Sequence, residues 1–315
     1  MSTNSSLTPQ EVADMLKIAK TTVYELIKRG DLNAYRIGNK MRIELDEIED
    51  YKNRKKGVKP SIQSLSPNVE SAELQNDSSS YSGFVICGQD IMLDILSRYI
   101  ETHRFGTRVL RSYIGSYNGL YAMYMKGASI ATAHLWDMET NSYNLPYIKR
   151  LLPGVPVVVV HLAKRMQGFY VLKGNPKNIK EWSDLARSDI SIINREKGCG
   201  TRVLLDEHMK NLKIPSSKIN GYQRECLSHL AAASTIARGG ADVSVGNEKA
   251  AMQVQGIDFI PIQQERYEMV IRKEDLDKPQ VKAILEILNS DIFRYEISGI
   301  GGYDIEEMGE IVAEL

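Results

Sequence analysis

The residues best suited to chemistry in this chain sit in short loops that carry small residues and run into helical patterns. Arg195-Glu196-Lys197-Gly198-Cys199-Gly200-Thr201 brings a guanidinium, a thiol and a hydroxyl to one helix start. Gly88-Gln89-Asp90, Gly115-Ser116-Tyr117-Asn118-Gly119, Ser228-His229 and Gly246-Asn247 follow the same plan. At such a start, free backbone N–H groups and the helix dipole favour an anion. Ser116 can add a hydroxyl donor without adding charge. Arg195 can supply a charge-assisted contact, completed by the Gly200 and Thr201 N–H groups and the Thr201 hydroxyl, with Arg202 as the nearby alternative. Plainer roles compete: Ser116, Asp90 and Asn247 are all good helix caps. His229 equally suits a structural role, and His134, in Ala133-His134-Leu135, is a further candidate for the same cleft.

Other chemistries find little support. Cys199 as a nucleophile would need a poised base, and the sequence offers no partner for one. No two His or Cys residues have zinc-ligand spacing, and neither a Walker loop nor a dinucleotide fingerprint occurs. The expectation is a binding protein without a resident cofactor or metal, not an enzyme.

The elements that must position these loops alternate between short apolar runs and amphipathic helices. Strands are expected at 84–87, 109–114, 130–133, 157–160, 168–172, 190–193, 243–245, 257–262 and 267–271. Helices are expected over 90–101 and 118–126. Alternation of this kind argues an α/β domain with mostly parallel sheets, whose ligands bind beyond the carboxyl ends of the strands.

The first 56 residues read differently. Thr8-Pro9-Gln10-Glu11 has a capping residue, proline at the first helical position and a glutamate that completes a capping box. Val12, Ala13 and Leu16 face inward. After a turn over 17–20, a second helix opens at Thr21, buries Val23, Leu26 and Ile27, and stops at Gly30. Its outer face offers Thr21, Thr22, Tyr24, Glu25 and Lys28, side chains of the kind that meet base edges and phosphates. Alternating runs around Gly38-Asn39 predict a hairpin whose Arg36, Asn39, Lys40 and Arg42 form a basic wing. A closing helix is expected from Asp46 to about Lys55.

Composition agrees with this division. The 315 residues carry 40 Lys/Arg and 40 Asp/Glu, so the whole chain is neutral. Residues 1–60 nevertheless hold an excess of three basic groups, and the remainder an excess of three acidic ones. Residues 57–82 contain two prolines and eight serines with few large apolar side chains, which predicts a flexible linker. The organisation expected is therefore a DNA-binding domain over 1–56, a linker over 57–82 and a ligand domain over 83–315. Three scattered cysteines fit a reducing compartment without disulfides. No apolar run approaches the ~20 residues of a membrane helix, and MSTNSSLTPQ has no secretory character. A cytoplasmic protein is expected.

Two resemblances sharpen these readings. LTPQEVADML with TTVYELIKRGDLNAYRIGNKMRIELDEIEDY resembles the excisionase-type winged helix of the MerR-like superfamily, which implies binding to double-stranded operator DNA as a homodimer or at tandem sites. IGSYNGLYAMYMKGASIATAHLWD, RMQGFYVLKGNPKNI, NREKGCGTRVLLDEHM and SHLAAASTIARGGADVSVG resemble the periplasmic-binding-protein-like domain of predicted molybdate-responsive regulators. More distantly, they are similar to the tungstate- and molybdate-binding proteins of importers. This resemblance implies a type II fold, α/β, with lobes of about 83–160 plus the C-terminal part and about 165–250, closing over a tetrahedral oxyanion. It also implies ligand roles for Ser116, Tyr117, Arg195, Gly200, Thr201, Ser228 and His229. Cys199 replaces the family's serine, Gln89 stands where a hydroxyl residue is usual, and Asn247 where a tyrosine contacts ligand. These departures leave room for another ligand, such as an organic molybdenum-cofactor precursor, or for an enzyme domain tethered to a DNA-binding head. The function implied is a one-component transcriptional regulator whose effector is molybdate or tungstate.

Overall fold

Helix α1 (Pro9–Leu16) starts with a capping box, as its sequence predicts. The Glu11 N–H donates to the Thr8 hydroxyl at 3.3 Å, and the Thr8 N–H donates to Glu11 Oε2 at 2.7 Å. Lys17 ends the helix in the left-handed region at φ 54°. This computed structural model describes residues 6–28, 32–38, 40–44, 48, 51 and 83–315. The chain divides into two units, residues 1–75 and 76–315. Gly30, Asn39, the linker over 57–82 and all of the closing helix except Ile48 and Tyr51 lie outside the described residues.

In the first unit α2 (Lys20–Lys28) begins one residue earlier than expected. Its Val23 and Leu26 pack with Val12, Ala13, Leu32, Ile43 and Ile48 in a small apolar core. The expected hairpin forms from β2 (Tyr35–Ile37) and β3 (Lys40–Glu44), with Ile37 facing Lys40 across the turn. Gly38 has φ +60°, the left-handed geometry that tight hairpin turns require. A strand the sequence did not suggest, β1 (Ser6–Leu7), joins β3 to give the order β1-β3-β2. Two residues are too few to show periodicity.

The second unit is a two-lobed α/β fold. Its strands are β4 (Phe84–Cys87), β5 (Val109–Ser112), β6 (Ile130–Ala133), β7 (Trp136–Asp137), β8 (Ser142–Tyr143), β9 (Val157–Leu172), β10 (Asn194–Arg195), β11 (Glu225–Cys226), β12 (Val243–Asn247), β13 (Ile257–Arg272) and β14 (Ile311–Glu314). Its helices are α3 (Ile91–Thr102), α4 (Ser116–Tyr124), α5 (Leu145–Leu151), α6 (Gly200–Asn211), α7 (His229–Ala237), α8 (Glu248–Ala251), α9 (Pro279–Leu288) and α10 (Asp291–Ile300).

The main sheet has the order β12-β9-β13-β6-β4-β5, with β14 also on β9. Only β4 with β5 and β4 with β6 are parallel; the pairings of β9, β12, β13 and β14 are antiparallel. The expectation of mostly parallel sheets is therefore corrected. Two of the expected strand pairs, 157–160 with 168–172 and 257–262 with 267–271, are in fact the single 16-residue strands β9 and β13. At about 3.3 Å per residue each spans roughly 50 Å, long enough to run through both lobes. Sequence periodicity broke at His161 to Gln167 and at Gln263 to Arg266 because polar side chains interrupt the apolar runs there. Those interruptions mark the passage between lobes. The expected strand over 190–193 reduces to one bridge, Ile192 with Val243, since the Ile192 N–H is taken by Asn220 O.

Strand alternation explains the burial. Val158 and Val160 face one core with Ile86, Leu93, Ile284 and Phe293. Val157 and Val159 face another with Leu120, Ala131 and Ile148. Burial on both faces is what a strand covered by helices on each side needs. The second lobe packs Phe169, Val171, Trp182, Leu204 and Val243 together, and takes in Trp136 from the β7–β8 ribbon. The chain's two tryptophans both stack on His208, at 4.4 and 4.2 Å between ring centres.

Candidate functional site: the cleft between the lobes

The loops after β4, β5 and β6 bring Gly88, Gln89, Asp90, Gly115, Ser116 and His134 to one side of a cavity. His229, at the start of α7, and Asn247, at the end of β12, close it from the other lobe, while Arg165 and Tyr267 on the crossover strands also line it. The space in it open to the centre of a water-sized sphere is about 20 Å³. That is room for little more than one water molecule in this closed arrangement.

Beneath the cavity lies a chain of charges. Arg165 is 5% exposed and pairs with Asp90 and with Glu265, each at 2.5 Å. Its guanidinium also sits 4.0 Å from the centre of the Tyr267 ring. Glu265 holds His134 Nδ1 at 2.7 Å. Burial pushes the Glu265 carboxyl upward, but Arg165 and His134 beside it hold it down at about 2. Asp90 does cap α3, accepting from the Met92 N–H at 2.8 Å, and it also accepts from the Tyr303 hydroxyl at 2.8 Å. One arginine between two carboxylates leaves no surplus positive charge on this side.

A second group lies at the start of α6. Arg195, 1% exposed, donates to Gln89 Oε1 at 2.6 Å, to Glu196 at 3.0 Å, and to the carbonyls of Cys226 and Leu227 at 3.3 Å. Gln89 returns a bond from Nε2 to Glu196 Oε1 at 2.9 Å, so this amide clasps one lobe to the other. The Tyr117 N–H crosses the cleft to Gly198 O at 2.9 Å. Gly115 and Gly200 permit this approach: a Cβ on Gly115 would lie 2.4 Å from Cys199 Cα, and one on Gly200 would lie 2.6 Å from the His134 ring. Among the described residues, Arg195 Nη1, Thr201 Oγ1 and His229 Nδ1 are buried without a hydrogen-bond partner.

Of the residues expected to bind ligand, Gln89, Ser116, His229 and Asn247 line the cavity. Arg195, Cys199, Gly200 and Thr201 stand behind that lining. Arg195 touches it through Gln89, and Gly200 touches it through His134. Tyr117 reaches the cleft with its backbone, its side chain being 40% exposed. Ser228 is exposed and caps α7 by accepting from the Ala231 N–H at 3.0 Å. Asn247 caps α8 with Oδ1 at 3.0 Å from the Ala250 N–H, leaving its amide nitrogen for the cavity. Cys199 caps α6 by accepting from the Arg202 N–H at 3.4 Å, and burial pushes its thiol up to about 11. A neutral capping thiol is not an activated nucleophile. Arg202 turns away to Asp206 and Glu225.

Sequence reasoning missed Thr132, Arg165, Glu265 and Tyr267 and assigned Asp90 only its capping role. The polar breaks in two otherwise apolar strands were the available signal.

In the helix-turn-helix unit, Thr21, Tyr24, Lys28 and Lys40 are exposed, and Thr22 and Arg42 are half-buried. Arg36 stands in β2. Asn39 lies outside the described residues. Among the described residues no helix is long and apolar enough to cross a membrane, and no three His, Cys, Asp or Glu side chains are grouped to hold a metal ion.

Comparison with known proteins agrees with this architecture. Residues 97–289 match the family model described as the PBP superfamily domain, and residues 6–56 match that of a helix-turn-helix domain. The chain is similar over its full 315 residues, at 41% identity and across 100% of both chains, to the uncharacterized protein YvgK of Bacillus subtilis (strain 168). Over 113 residues, 36% of this chain, it is 58% identical to the whole of an uncharacterized Clostridium pasteurianum protein from the 5′ region of a 2Fe-2S ferredoxin gene. Among solved structures, it resembles a putative phosphate transporter substrate-binding protein from Clostridium perfringens with bound phosphate, at TM-score 0.52 and 14% identity over 70% of this chain and 98% of that one. It also resembles an ancestral amino-acid-binding protein, at TM-score 0.50 and 14% identity over 69% and 94%. At that identity the likeness is one of fold.

Proposed function

Since the chain belongs to the PBP superfamily and carries a helix-turn-helix domain ahead of that fold, we propose that it is a one-component transcriptional regulator that senses a small oxyanion. The effector is molybdate or tungstate. The observation that carries the ligand class is the polar lining of the cleft: His229 Nδ1, buried without a partner among the described residues, faces the same cavity as Ser116 at the start of α4, while Arg195 Nη1 and Thr201 Oγ1, also without partners, stand behind that lining. Buried polar groups without partners are rare in folded proteins, and each gains from an acceptor brought to it. An oxyanion offers acceptors in several directions.

In this reading the protein works in the cytoplasm as a homodimer. The outer face of α2 enters the major groove of operator DNA, and the Arg36–Arg42 hairpin lies along the backbone. Thr21, Thr22, Tyr24 and Lys28 meet the DNA from the helix, and Arg36, Asn39, Lys40 and Arg42 from the wing. Ligand changes DNA affinity only as far as it binds the DNA-competent and incompetent states differently.

Isothermal titration of the full-length protein against molybdate, tungstate, sulfate and phosphate tests the effector. Micromolar or tighter binding of molybdate or tungstate supports it; no heat with any of the four overturns it. For the head, Lys28→Ala and Arg42→Ala should each weaken operator binding and lower its salt dependence by about one counterion. Unchanged retention in both would overturn the interface.

A further inference from the structure

His134 and His229 reach the same cavity from opposite lobes. Glu265, an ionised carboxylate, holds His134 Nδ1 at 2.7 Å, which fixes that nitrogen as a donor and leaves Nε2 for a ligand. His229 Nδ1 is buried with no partner among the described residues. A neutral imidazole has one donor and one acceptor, whereas a fully deprotonated oxyanion offers acceptors only. Only a protonated ring presents a donor from both nitrogens.

The fixed charges around the pair do not meet a dianion's needs. Arg165 on β9 is matched by Asp90 and by Glu265 on β13, and Arg195 on β10 is matched by Glu196. Tyr267 and Ser116, the other polar groups against His134, are uncharged. His229 is the adjustable charge in the cleft. We propose that this cleft binds a dianion together with a proton, which His229 takes up. The proposal rests on the anion-sensor reading above. Burial, then Arg195 and His134, hold His229 well below its ordinary value in the absence of anion, so it starts neutral at pH 7. A dianion at contact distance raises it and draws the proton in.

The test is calorimetry of the full-length protein with sodium molybdate and sodium sulfate near neutral pH, in PIPES and in Tris. Neither anion carries a titratable proton there, so a difference in heat between buffers counts protons moved by the protein. The expected result is uptake approaching one proton per anion. Affinity should fall by up to about tenfold per pH unit as the solution is made alkaline. His229→Asn should remove the uptake and flatten the pH profile, while Ser116→Ala weakens binding but keeps the uptake. Buffer-independent heat with a flat pH profile in the wild-type protein overturns the proposal and leaves anion sensing standing. No heat with any oxyanion across the pH range overturns both.

Discussion

Arg165 and Arg195 are both buried arginines beside one cleft, yet their surroundings neutralise them differently. Arg165 lies between two carboxylates on the crossover strands, with an aromatic ring over its face. Arg195 has one carboxylate partner, the partly exposed Glu196, and otherwise bonds to Gln89 and to backbone carbonyls, with Nη1 left over. The first is over-compensated and ties the floor of the cleft together. The second is only just compensated, and each arginine keeps one buried nitrogen without a partner among the described residues, Nε of Arg165 and Nη1 of Arg195. Burial and charge alone do not distinguish the two; the count of neutralising partners does.

Four measurements can break or sharpen that contrast. Arg165→Ala should have the largest effect, because it leaves Asp90 and Glu265 buried without their cation. Loss of about 3–5 kcal/mol is expected, read by denaturant unfolding, and a change under 1 kcal/mol would mean the network is dispensable. Next comes acid. Glu265 is depressed from 4.5 to about 2 in the folded chain, so its contribution is present above its unfolded value and is lost as pH falls through the folded one. Roughly 3 kcal/mol should disappear between about pH 4.5 and 2, and Glu265→Gln should remove most of that slope.

Arg195→Ala should weaken oxyanion binding by more than about tenfold, or 1.4 kcal/mol, with a smaller loss of stability than at Arg165. Equal losses of stability in the two variants would erase the distinction. Gln89→Ala is expected to do least. It opens the clasp between the lobes and should lower affinity by a few fold without altering which anion is preferred. Fluorescence of Trp136 and Trp182, both stacked on His208, should stay unchanged in that variant, because the ribbon contact lies apart from the clasp.

Legibility followed the range of the interactions. The capping box at Thr8, the apolar stripe of α1 and α2 and the turn at Gly38 are decided within a few residues, so they could be read directly. The loops after β4 and β5 were also legible, because a small residue before a helix is a local pattern. Arg165 was hidden because its partners are 75 and 100 positions away in sequence. Its strand looked broken for the same reason: Lys164 and Arg165 suit no apolar face until distant segments bring Glu307 to the first and Glu265 to the second. Cys199 shows the converse. Its position in the Arg195–Thr201 loop was plain, but only burial against α6 made it a neutral cap.

The sequence by itself determined the two kinds of domain, the helix starts that surround the cleft, and the alternation that builds an α/β fold. These depend on propensity, periodicity and capping, which act over one or two turns. Only the tertiary structure decided that β9 and β13 are continuous through both lobes, that Gln89 meets Arg195, and that two histidines share one cavity. Those outcomes depend on desolvation and on charges placed beside each other by distant segments, which local pattern does not encode.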